Sequence, residues 1–423
     1  MTEFYKPFII KLENGLSDIT DTIEFSENKN VPLCSLGYHY FYHRTKESMG
    51  ITKNFESKNE FYYVVNPFEI SILNYNDSLI ELAKIYFNID VNDKLNVSIN
   101  DRLFFIIWEI LFNFELVDNI SNISAAILSA DSNPILQSII NYRKKNNIYS
   151  PKDKYFNISD EDILINTKNI KNYKGKEDIT DVKTINTFQK DIKKSNIYSN
   201  IIIADSGFDD EAEIYNIILS EILTALKVQE KNGNFILKIF ETFTHTTLKL
   251  IYFISSFYEE IYIYKPYYSR QTVSEKFIIL KKFKYDQHKD SSFLNEKCQM
   301  LENILNKKIN NNYIYDIFTN IKLPKNYLNT FTFINIKLAN SQQILINDII
   351  KYIKDNNYFG DKYHLYRTNQ IEITKWWVSS FFPPSSNLYD KNKEDLIKQL
   401  NTYKDSYNNE CIKFTSSLIT SLF

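Results

Sequence analysis

Three ionisable side chains stand at the ends of predicted strands in the middle of the chain. Asp205 closes the apolar run "NIIIAD", Lys238 comes late in "NFILKIF", and Glu275 precedes "KFIILKKF". Ligands of open α/β sheets bind outside the carboxyl ends of the strands, so charges placed there are candidates for chemistry. An ammonium flanked by two carboxylates stays charged, which suits holding a ligand group as well as moving a proton. Spacing alone leaves a reaction centre and a structural ion-pair network as equal alternatives.

The predicted strands and helices around these residues lie between about 96 and 285. Strands alternate there with helices, which predicts a parallel sheet covered on both faces. "DRLFFIIWEILFNFEL" predicts an apolar helix, "ISAAILSA" a buried strand, and "PILQSIINYRKK" a helix with a basic end. From residue 200 the predicted order is strand, helix, strand, helix, strand, strand, with Gly233 ending the first of these helices.

The flanking regions are predicted to be extensions of this central domain. Residues 1–95 read as an α+β extension, with a strand at "EFYYVVNPFEI" and a short helix at "LIELAKIYF". Residues 286–423 read as a helical extension that breaks at Pro383-Pro384 before a last helix.

The composition describes a folded protein. The 423 residues are 43% hydrophobic and include 31 Tyr and 31 Phe, which argues against global disorder. A net charge of −2 excludes non-specific nucleic-acid binding by the whole-molecule field, so RNA binding would need a local basic patch. Only 7 Gly and 9 Pro beside abundant Ile, Asn, Lys and Tyr indicate an AT-rich genome, such as that of a large DNA virus or a protist.

The cysteines and the apolar segments bear on the compartment. Cys34, Cys298 and Cys411 are far apart and indicate neither a disulfide framework nor a zinc site. The sequence contains no uninterrupted apolar run of 18 residues, so we expect no membrane span. We expect a cytoplasmic location, which would be the host cytoplasm or the virion if the protein is viral. For His39 and His43 a structural role is favoured and no metal is predicted, because no Asp, Cys or Glu lies at metal-ligand spacing.

Several motifs together resemble one known family. "IIIADSGFD", "GNFILKIFETFT" and "YKPYYSRQTVSEKFIILKKFK", with "KGKEDITDVKTI" before them, resemble the FtsJ-like RNA 2'-O-methyltransferases, in particular the cap-1 branch and its giant-virus relatives. The resemblance covers roughly residues 96–285. It implies a Rossmann-like α/β sheet with helices on both faces, S-adenosylmethionine as cofactor, and a Lys-Asp-Lys-Glu tetrad.

The resemblance assigns roles to individual residues. Asp205, Lys238 and Glu275 match the last three members of the tetrad, and the family's second lysine is taken to activate the ribose 2'-hydroxyl. Ser269 and Arg270 match a Ser-Arg pair beside the RNA. The adjacent Tyr267 and Tyr268 are expected either to stack on bases or a cap guanine or to belong to the core.

The other half of the family pattern is altered in this sequence. In "DRLFFIIWEI", which keeps Arg102 and Glu109, Ile106 stands where the family has its first lysine. The cofactor loop D-L-x-x-A-P-G-G is matched by "ILSADSNP", so Asn133 and Pro134 replace the two glycines. Side chains there would occupy cofactor space, and Pro134 also lacks an N–H. The cofactor contacts that the resemblance implies, in degenerate form, are Ser129, Asp131, Asn133 and Asp178.

Two functional hypotheses follow, beside a purely structural module. The first is a catalytically inactive homologue with no bound cofactor, which binds RNA or capped mRNA or serves as a scaffold with viral mRNA-processing or translation proteins. The second is an active cap-specific ribose 2'-O-methyltransferase that uses S-adenosylmethionine. Gly175 is the one glycine between residues 51 and 206, and it does not follow a predicted buried strand, which favours the first hypothesis. No membrane partner is expected.

Overall fold

The computed structural model describes most of the chain with side chains. The described residues are 7–12, 19–55, 61–68, 86–87, 99, 101–118, 120–165, 169–174, 179–194, 197–307, 313–356, 360–383, 391–392, 394–395 and 398–399. The short helix predicted at 79–87 and the last helix predicted after Pro384 lie largely outside them.

Ten strands and nine α-helices occur within the described residues. The strands are β1 (Phe8–Ile10), β2 (Ile23–Ser26), β3 (Ser124–Leu128), β4 (Lys154–Ser159), β5 (Ile170–Lys174), β6 (Ser199–Ala204), β7 (Gln229–Ile239), β8 (Tyr258–Tyr264), β9 (Lys276–Phe283) and β10 (Tyr313–Ile317). The helices are α1 (Leu36–Ser48), α2 (Arg102–Phe114), α3 (Asn133–Lys145), α4 (Val182–Lys194), α5 (Tyr215–Val228), α6 (His245–Ser255), α7 (Ser291–Leu305), α8 (Lys325–Asp355) and α9 (Asp361–Phe381).

Eight strands form one sheet in the order β1-β8-β9-β7-β6-β3-β4-β5. Strands β5, β4, β3, β6 and β7 are parallel neighbours, whereas β9 runs antiparallel between β7 and β8. From β3 the chain first proceeds outward to β4 and β5, and then returns to place β6 and β7 on the other side. The strand order therefore reverses between β3 and β6, and the crevice at their carboxyl ends is where α/β sheets of this kind bind ligands.

The strands of the centre are buried on both faces, which explains their continuous apolar runs. All five residues of β3 are buried, and Ile201, Ile202 and Ile203 of β6 are 0% exposed. On one face α4 places Phe188 against Phe156 of β4, with ring centroids 6.5 Å apart. The predicted α/β architecture and the predicted order of elements from 200 to 283 are confirmed.

Helix ends follow the sequence signals in two places. The carboxylate of Asp101 accepts a hydrogen bond from the backbone N–H of Leu103 at 2.6 Å and caps the start of α2. Arg143, in the basic end of α3, is fully buried and pairs with Asp153 at 3.0 Å, so it is a core residue as well as a cation near a helix end.

Two predictions about local structure were wrong. Helix α5 ends at Val228, and Gly233 lies inside β7, where the pairing with β6 is irregular. A Cβ at Gly233 would lie 2.8 Å from the carbonyl oxygens of both Asn200 and Glu230, so close backbone approach requires the glycine.

The predicted strand at 60–70 is the other error. Phe61–Val65 forms a 3-10 helix whose Tyr62, Val64 and Val65 pack against Ile349 and Ile353 of α8. A short apolar run does not distinguish a strand from a buried helical turn, and here its partner helix lies nearly 300 residues away.

The regions on either side of the central sheet are joined to it and to each other. Strand β1 pairs with β8, and β2 pairs with β10 to form a second, two-stranded sheet. The region after 286 therefore contains a strand as well as the predicted helices. In the described part of the chain, no helix is long and apolar enough to cross a membrane.

Candidate active site

Strand register brings Asp205, Lys238 and Glu275 together at the carboxyl edge of the sheet. Ala204 of β6 lies beside Leu237 of β7, so the next residues, Asp205 and Lys238, are neighbours. Lys238 in turn lies opposite Phe277 of β9. Glu275 precedes Phe277 by two positions, so its side chain is on the same face of the sheet as the side chains of Phe277 and Lys238. The sequence could place each residue at a strand end, and the register makes them converge.

Lys238 and Asp205 form a nearly buried ion pair. The Lys238 ammonium lies 3.0 Å from Oδ1 of Asp205 and also donates a hydrogen bond of 2.9 Å to the Asp205 carbonyl oxygen. Burial raises the pKa of Asp205 to about 6, although Lys238 opposes that rise, and the charges of Glu275 and Asp101 add to it. The carboxyl group therefore changes its protonation state close to neutral pH.

A further buried carboxyl group, Glu221 of α5, lies behind this pair. Its Oε1 accepts a hydrogen bond of 3.3 Å from the backbone N–H of Ser206, and burial raises its pKa to about 8. The charge of Lys238 acts in the opposite direction on Glu221, so the ammonium is shared electrostatically among several carboxyl groups. Sequence reasoning missed Glu221 because it occupies an apolar helix without any local signal.

The start of α2 faces the same crevice. Burial raises the pKa of Asp101, and the charges of Asp131 and Glu275 raise it further while Arg102 lowers it. The acids of three separate segments thus lie within electrostatic range of one another.

The loop after β3 is closed by its own side chains. Oδ1 of Asp131 accepts hydrogen bonds from both the backbone N–H and the side-chain amide of Asn133, at 2.9 and 2.8 Å. The same amide donates to the carbonyl oxygen of Asp162, and Asn133 Oδ1 accepts from the N–H of Leu164 at 2.8 Å. Asn133 therefore joins this loop to the loop after β4.

These residues do not fit S-adenosylmethionine in the way that two glycines would. Asn133 is 4% exposed and Pro134 is also buried, so both side chains occupy the start of α3. The backbone N–H of Asn133 is bonded to Asp131, and Pro134 has none to offer. Ser129 and Asp131 are likewise engaged with each other, through a hydrogen bond of 3.0 Å from the Ser129 hydroxyl to the Asp131 carbonyl oxygen.

Comparison with known proteins identifies the central part of this chain. Residues 153–283 match the family model of the FtsJ-like methyltransferases. The chain contains an FtsJ-like methyltransferase domain. The resemblance drawn from the motifs is thereby confirmed, and Asp205, Lys238 and Glu275 all lie within the matched residues.

The relatives include a giant-virus protein and cap methyltransferases. An uncharacterized protein of Acanthamoeba polyphaga mimivirus, R383, is 27% identical over 216 residues, which are 49% of this chain and 57% of that protein. Cap-specific mRNA (nucleoside-2'-O-)-methyltransferase 1 of Bos taurus is 32% identical over 141 residues, which are 30% of this chain and 17% of that protein. The protein of the same name from Dictyostelium discoideum is 34% identical over 90 residues, 20% of this chain and 12% of that protein.

The coverage of these relatives is partial. The chain spans little more than half of the mimivirus protein and less than a fifth of the two cap methyltransferases. Among solved structures, a putative class I S-adenosylmethionine-dependent methyltransferase from Listeria monocytogenes aligns with 63% of this chain and 98% of its own, at 11% identity and a TM-score of 0.33.

In the FtsJ-like domain the segment between β8 and β9 is organised around the buried Lys265. Its ammonium donates hydrogen bonds to the Ser269 hydroxyl and to the carbonyl oxygens of Arg270, Val273 and Glu275, at 2.7 to 3.1 Å. Burial lowers the pKa of Lys265 to about 7. Lys265 therefore holds the segment that carries Glu275, a role that its Lys-Pro sequence did not reveal.

The predicted RNA contacts divide into exposed and buried residues. Arg270 is exposed, whereas Ser269 is fully buried and donates a hydrogen bond of 2.8 Å to Oε1 of Glu275. Tyr268 is 0% exposed, with its ring 4.9 Å from that of Trp377. Tyr268 therefore takes the second of its two expected roles, in the core, where Trp377 of α9 packs against it. Ser269 is buried and positions Glu275, so neither side chain is exposed for direct RNA contact.

Tyr267 is partly exposed, whereas Ile106 is buried. Tyr267 is partly buried, with its ring centroid 4.9 Å from that of Trp376. Ile106 lies one turn after Arg102 on α2, is 2% exposed and belongs to the main hydrophobic core.

Arg102 holds the segment after β8, because its guanidinium donates a hydrogen bond of 2.7 Å to the Tyr268 carbonyl oxygen. Asp178 lies outside the described residues.

Glu109 links the site to α9. This fully buried carboxylate accepts hydrogen bonds from the Tyr264 hydroxyl at 2.5 Å, the Tyr267 N–H at 2.9 Å and Trp377 Nε1 at 2.9 Å. Burial raises its pKa to about 7, although these donors oppose the rise. The sequence match kept Glu109 without showing why, because Trp377 lies 268 positions away.

Proposed function

We propose that this protein binds capped RNA through its FtsJ-like domain without transferring a methyl group, as an RNA-binding or scaffold subunit in viral mRNA processing or translation. The observation that carries the proposal is Asn133, whose side chain ties the loop after β3 to the loop after β4. A nucleoside cofactor would have to break these partly buried hydrogen bonds, each of which contributes about 1 kcal/mol and leaves an unsatisfied group when lost.

The RNA would reach the site along the face formed by α1. This helix contacts the segment before β9 through a hydrogen bond of 2.7 Å between the hydroxyls of Tyr42 and Ser274. Its Tyr40 and Phe41 are 62% and 63% exposed, and Arg44 is exposed beside them. Exposed aromatic rings with neighbouring cations are the combination on which single-stranded RNA stacks.

The binding of RNA is tested by fluorescence anisotropy with a short capped RNA at several salt concentrations. The double variant Tyr40→Ala, Phe41→Ala is expected to weaken binding by about 1–3 kcal/mol for each stacked base, and Arg270→Ala to reduce the salt dependence. Leu365→Ala, which removes a side chain 69% exposed on α9, is the control and should leave binding unchanged. Equal affinities for all variants would refute the proposed RNA face.

An active cap ribose 2'-O-methyltransferase is the second candidate, and the Lys238–Asp205 ion pair favours it. In this alternative Lys238, after losing one proton, would take up the proton of the attacking hydroxyl as its oxygen forms the bond to the methyl group, and Asp205 and Glu275 would stabilise the resulting ammonium. Calorimetry with S-adenosylmethionine separates the two functions. Micromolar affinity, with methyl transfer to capped RNA that is lost in Lys238→Ala, would refute the inactive form; absence of heat at millimolar cofactor would support it.

A further inference from the structure

A second cluster of reactive side chains lies beside the candidate active site. His39 and His43 are one turn apart on α1, and their Nε2 atoms are 3.0 Å from each other. His43 Nε2 is also 3.3 Å from Oε2 of Glu241, a residue that follows β7 and is 4% exposed. In the part of the chain that the structure describes, these are the three His, Cys, Asp or Glu side chains whose ligand atoms all lie within 4.8 Å of one another.

The spacing of these atoms matches the first coordination sphere of a small divalent cation. Two ligands at about 2.0–2.1 Å from a tetrahedral zinc ion are about 3.3 Å apart. The two short separations in the cluster, 3.0 and 3.3 Å, are within a few tenths of an ångström of that value. Histidines four positions apart on a helix point to the same side, so α1 presents both imidazoles without any change of backbone.

The surroundings of Glu241 leave one oxygen for a metal. The Lys46 ammonium donates a hydrogen bond of 2.6 Å to Oε1, while Oε2 is the oxygen that faces His43. The Lys46 ammonium also forms an ion pair with Asp209 at 2.8 Å, so it neutralises the charge of Glu241 only in part. An outer partner that holds the second oxygen of a ligating carboxylate fixes its orientation, as in protein metal sites generally.

We propose that His39, His43 and Glu241 bind one zinc ion, with the fourth position left to water or an oxygen ligand. Two imidazoles and a carboxylate with a fourth, open position are the ligand set of one recurrent class of zinc site. The ion would fasten α1 to the residue three positions after Lys238. The site does not depend on methyl transfer or on RNA binding.

The test uses the full chain after treatment with a chelator. Titration with zinc chloride against a chromophoric competitor is expected to give one equivalent bound per chain, and cobalt(II) is expected to give the visible absorption of a tetrahedral nitrogen–oxygen site. His39→Gln and His43→Gln should each weaken zinc binding by at least about 100-fold, because each removes a ligand. Zinc should also raise the melting temperature of the unaltered protein and not that of the variants.

His288→Gln is the matched control, since it removes a histidine from the other end of the sheet, beside Tyr198. It should bind zinc as the unaltered chain does. Circular dichroism of each variant establishes that it is folded, and His39 is only partly buried, so its replacement disturbs packing little. Absence of zinc binding at a zinc concentration of about 10⁻⁴ M would overturn the proposal. Equal zinc binding by the folded His39→Gln and His288→Gln variants would also overturn it.

Discussion

Replacing Lys238 by methionine would measure how strongly the ammonium controls Asp205. Methionine keeps most of the buried volume but removes the charge 3.0 Å from the carboxylate. Without that charge the pKa of Asp205 rises further above about 6, since burial already raises it and Lys238 is the group that opposes the rise. The destabilisation is limited, because the carboxyl group can take up a proton instead of remaining buried as an unpaired anion.

The limit can be worked out from the pKa. Each pH unit above about 6 corresponds to about 1.4 kcal/mol for protonating Asp205, so the electrostatic penalty of the variant is at most about 1.4 kcal/mol at pH 7 and about 2.7 kcal/mol at pH 8. At pH 5 Asp205 is protonated in both proteins and this penalty disappears. The lost hydrogen bond to the Asp205 carbonyl oxygen adds about 1–3 kcal/mol at every pH.

The assay is urea unfolding at pH 5, 6, 7 and 8 for the unaltered chain and for Lys238→Met. The difference in unfolding free energy should grow with pH above 6, and urea is preferred to guanidinium because it does not screen charge. Lys194→Met, which removes an ammonium from a side chain 78% exposed, is the control, with an expected effect within about 0.5 kcal/mol. A difference for Lys238→Met that is independent of pH from 5 to 8 would refute the reasoning.

Three further predictions concern buried contacts. Glu109→Gln should flatten the pH profile. Burial raises the pKa of Glu109 from 4.5 to about 7, so its stabilising contribution is fully present below about pH 4.5, falls by up to about 1.4 kcal/mol per pH unit up to about pH 7 and is constant above that, which thermal melts from pH 4 to 8 would record. Arg143→Ala should destabilise by about 3–5 kcal/mol in urea unfolding, because it leaves Asp153 as an unpaired buried charge; an effect below 1 kcal/mol would contradict this. Gly233→Ala should destabilise the protein by about 1–3 kcal/mol and lower its melting temperature, because the new Cβ would lie 2.8 Å from two backbone oxygens. Gly37→Ala, whose Cβ would have no atom within 4 Å, should not lower the melting temperature.

The sequence was most informative where local pattern and position in the sheet coincide. Asp205 and Lys238 each follow an apolar run, and parallel strands that end at one edge bring such residues together. The alternation of strands and helices from 200 to 283 was readable for the same reason, because each element carries its own periodicity. The family resemblance added the roles of these residues, which periodicity alone left open.

Contacts between distant parts of the chain could not be read in this way. Tyr268 lies beside an exposed arginine in sequence, but Trp377 of α9 covers it. His39 and His43 lacked a partner at metal spacing because Glu241 lies nearly 200 positions later. The strand β10 was missed since its pairing partner, β2, lies nearly 290 positions earlier in the chain. In each case burial or pairing is decided by an element that the local pattern does not contain.

The pairing of β1 with β8 has a practical consequence for anyone who would work with a shorter piece of this protein. A fragment limited to residues 153–283, or even 96–285, would leave the backbone of Ile261 and Ile263 without the strand that covers it. Bare, apolar strand edges recruit other chains, so such a fragment should aggregate on expression. Retaining Phe8–Ile10, and therefore the segment that follows it, should keep the material monodisperse.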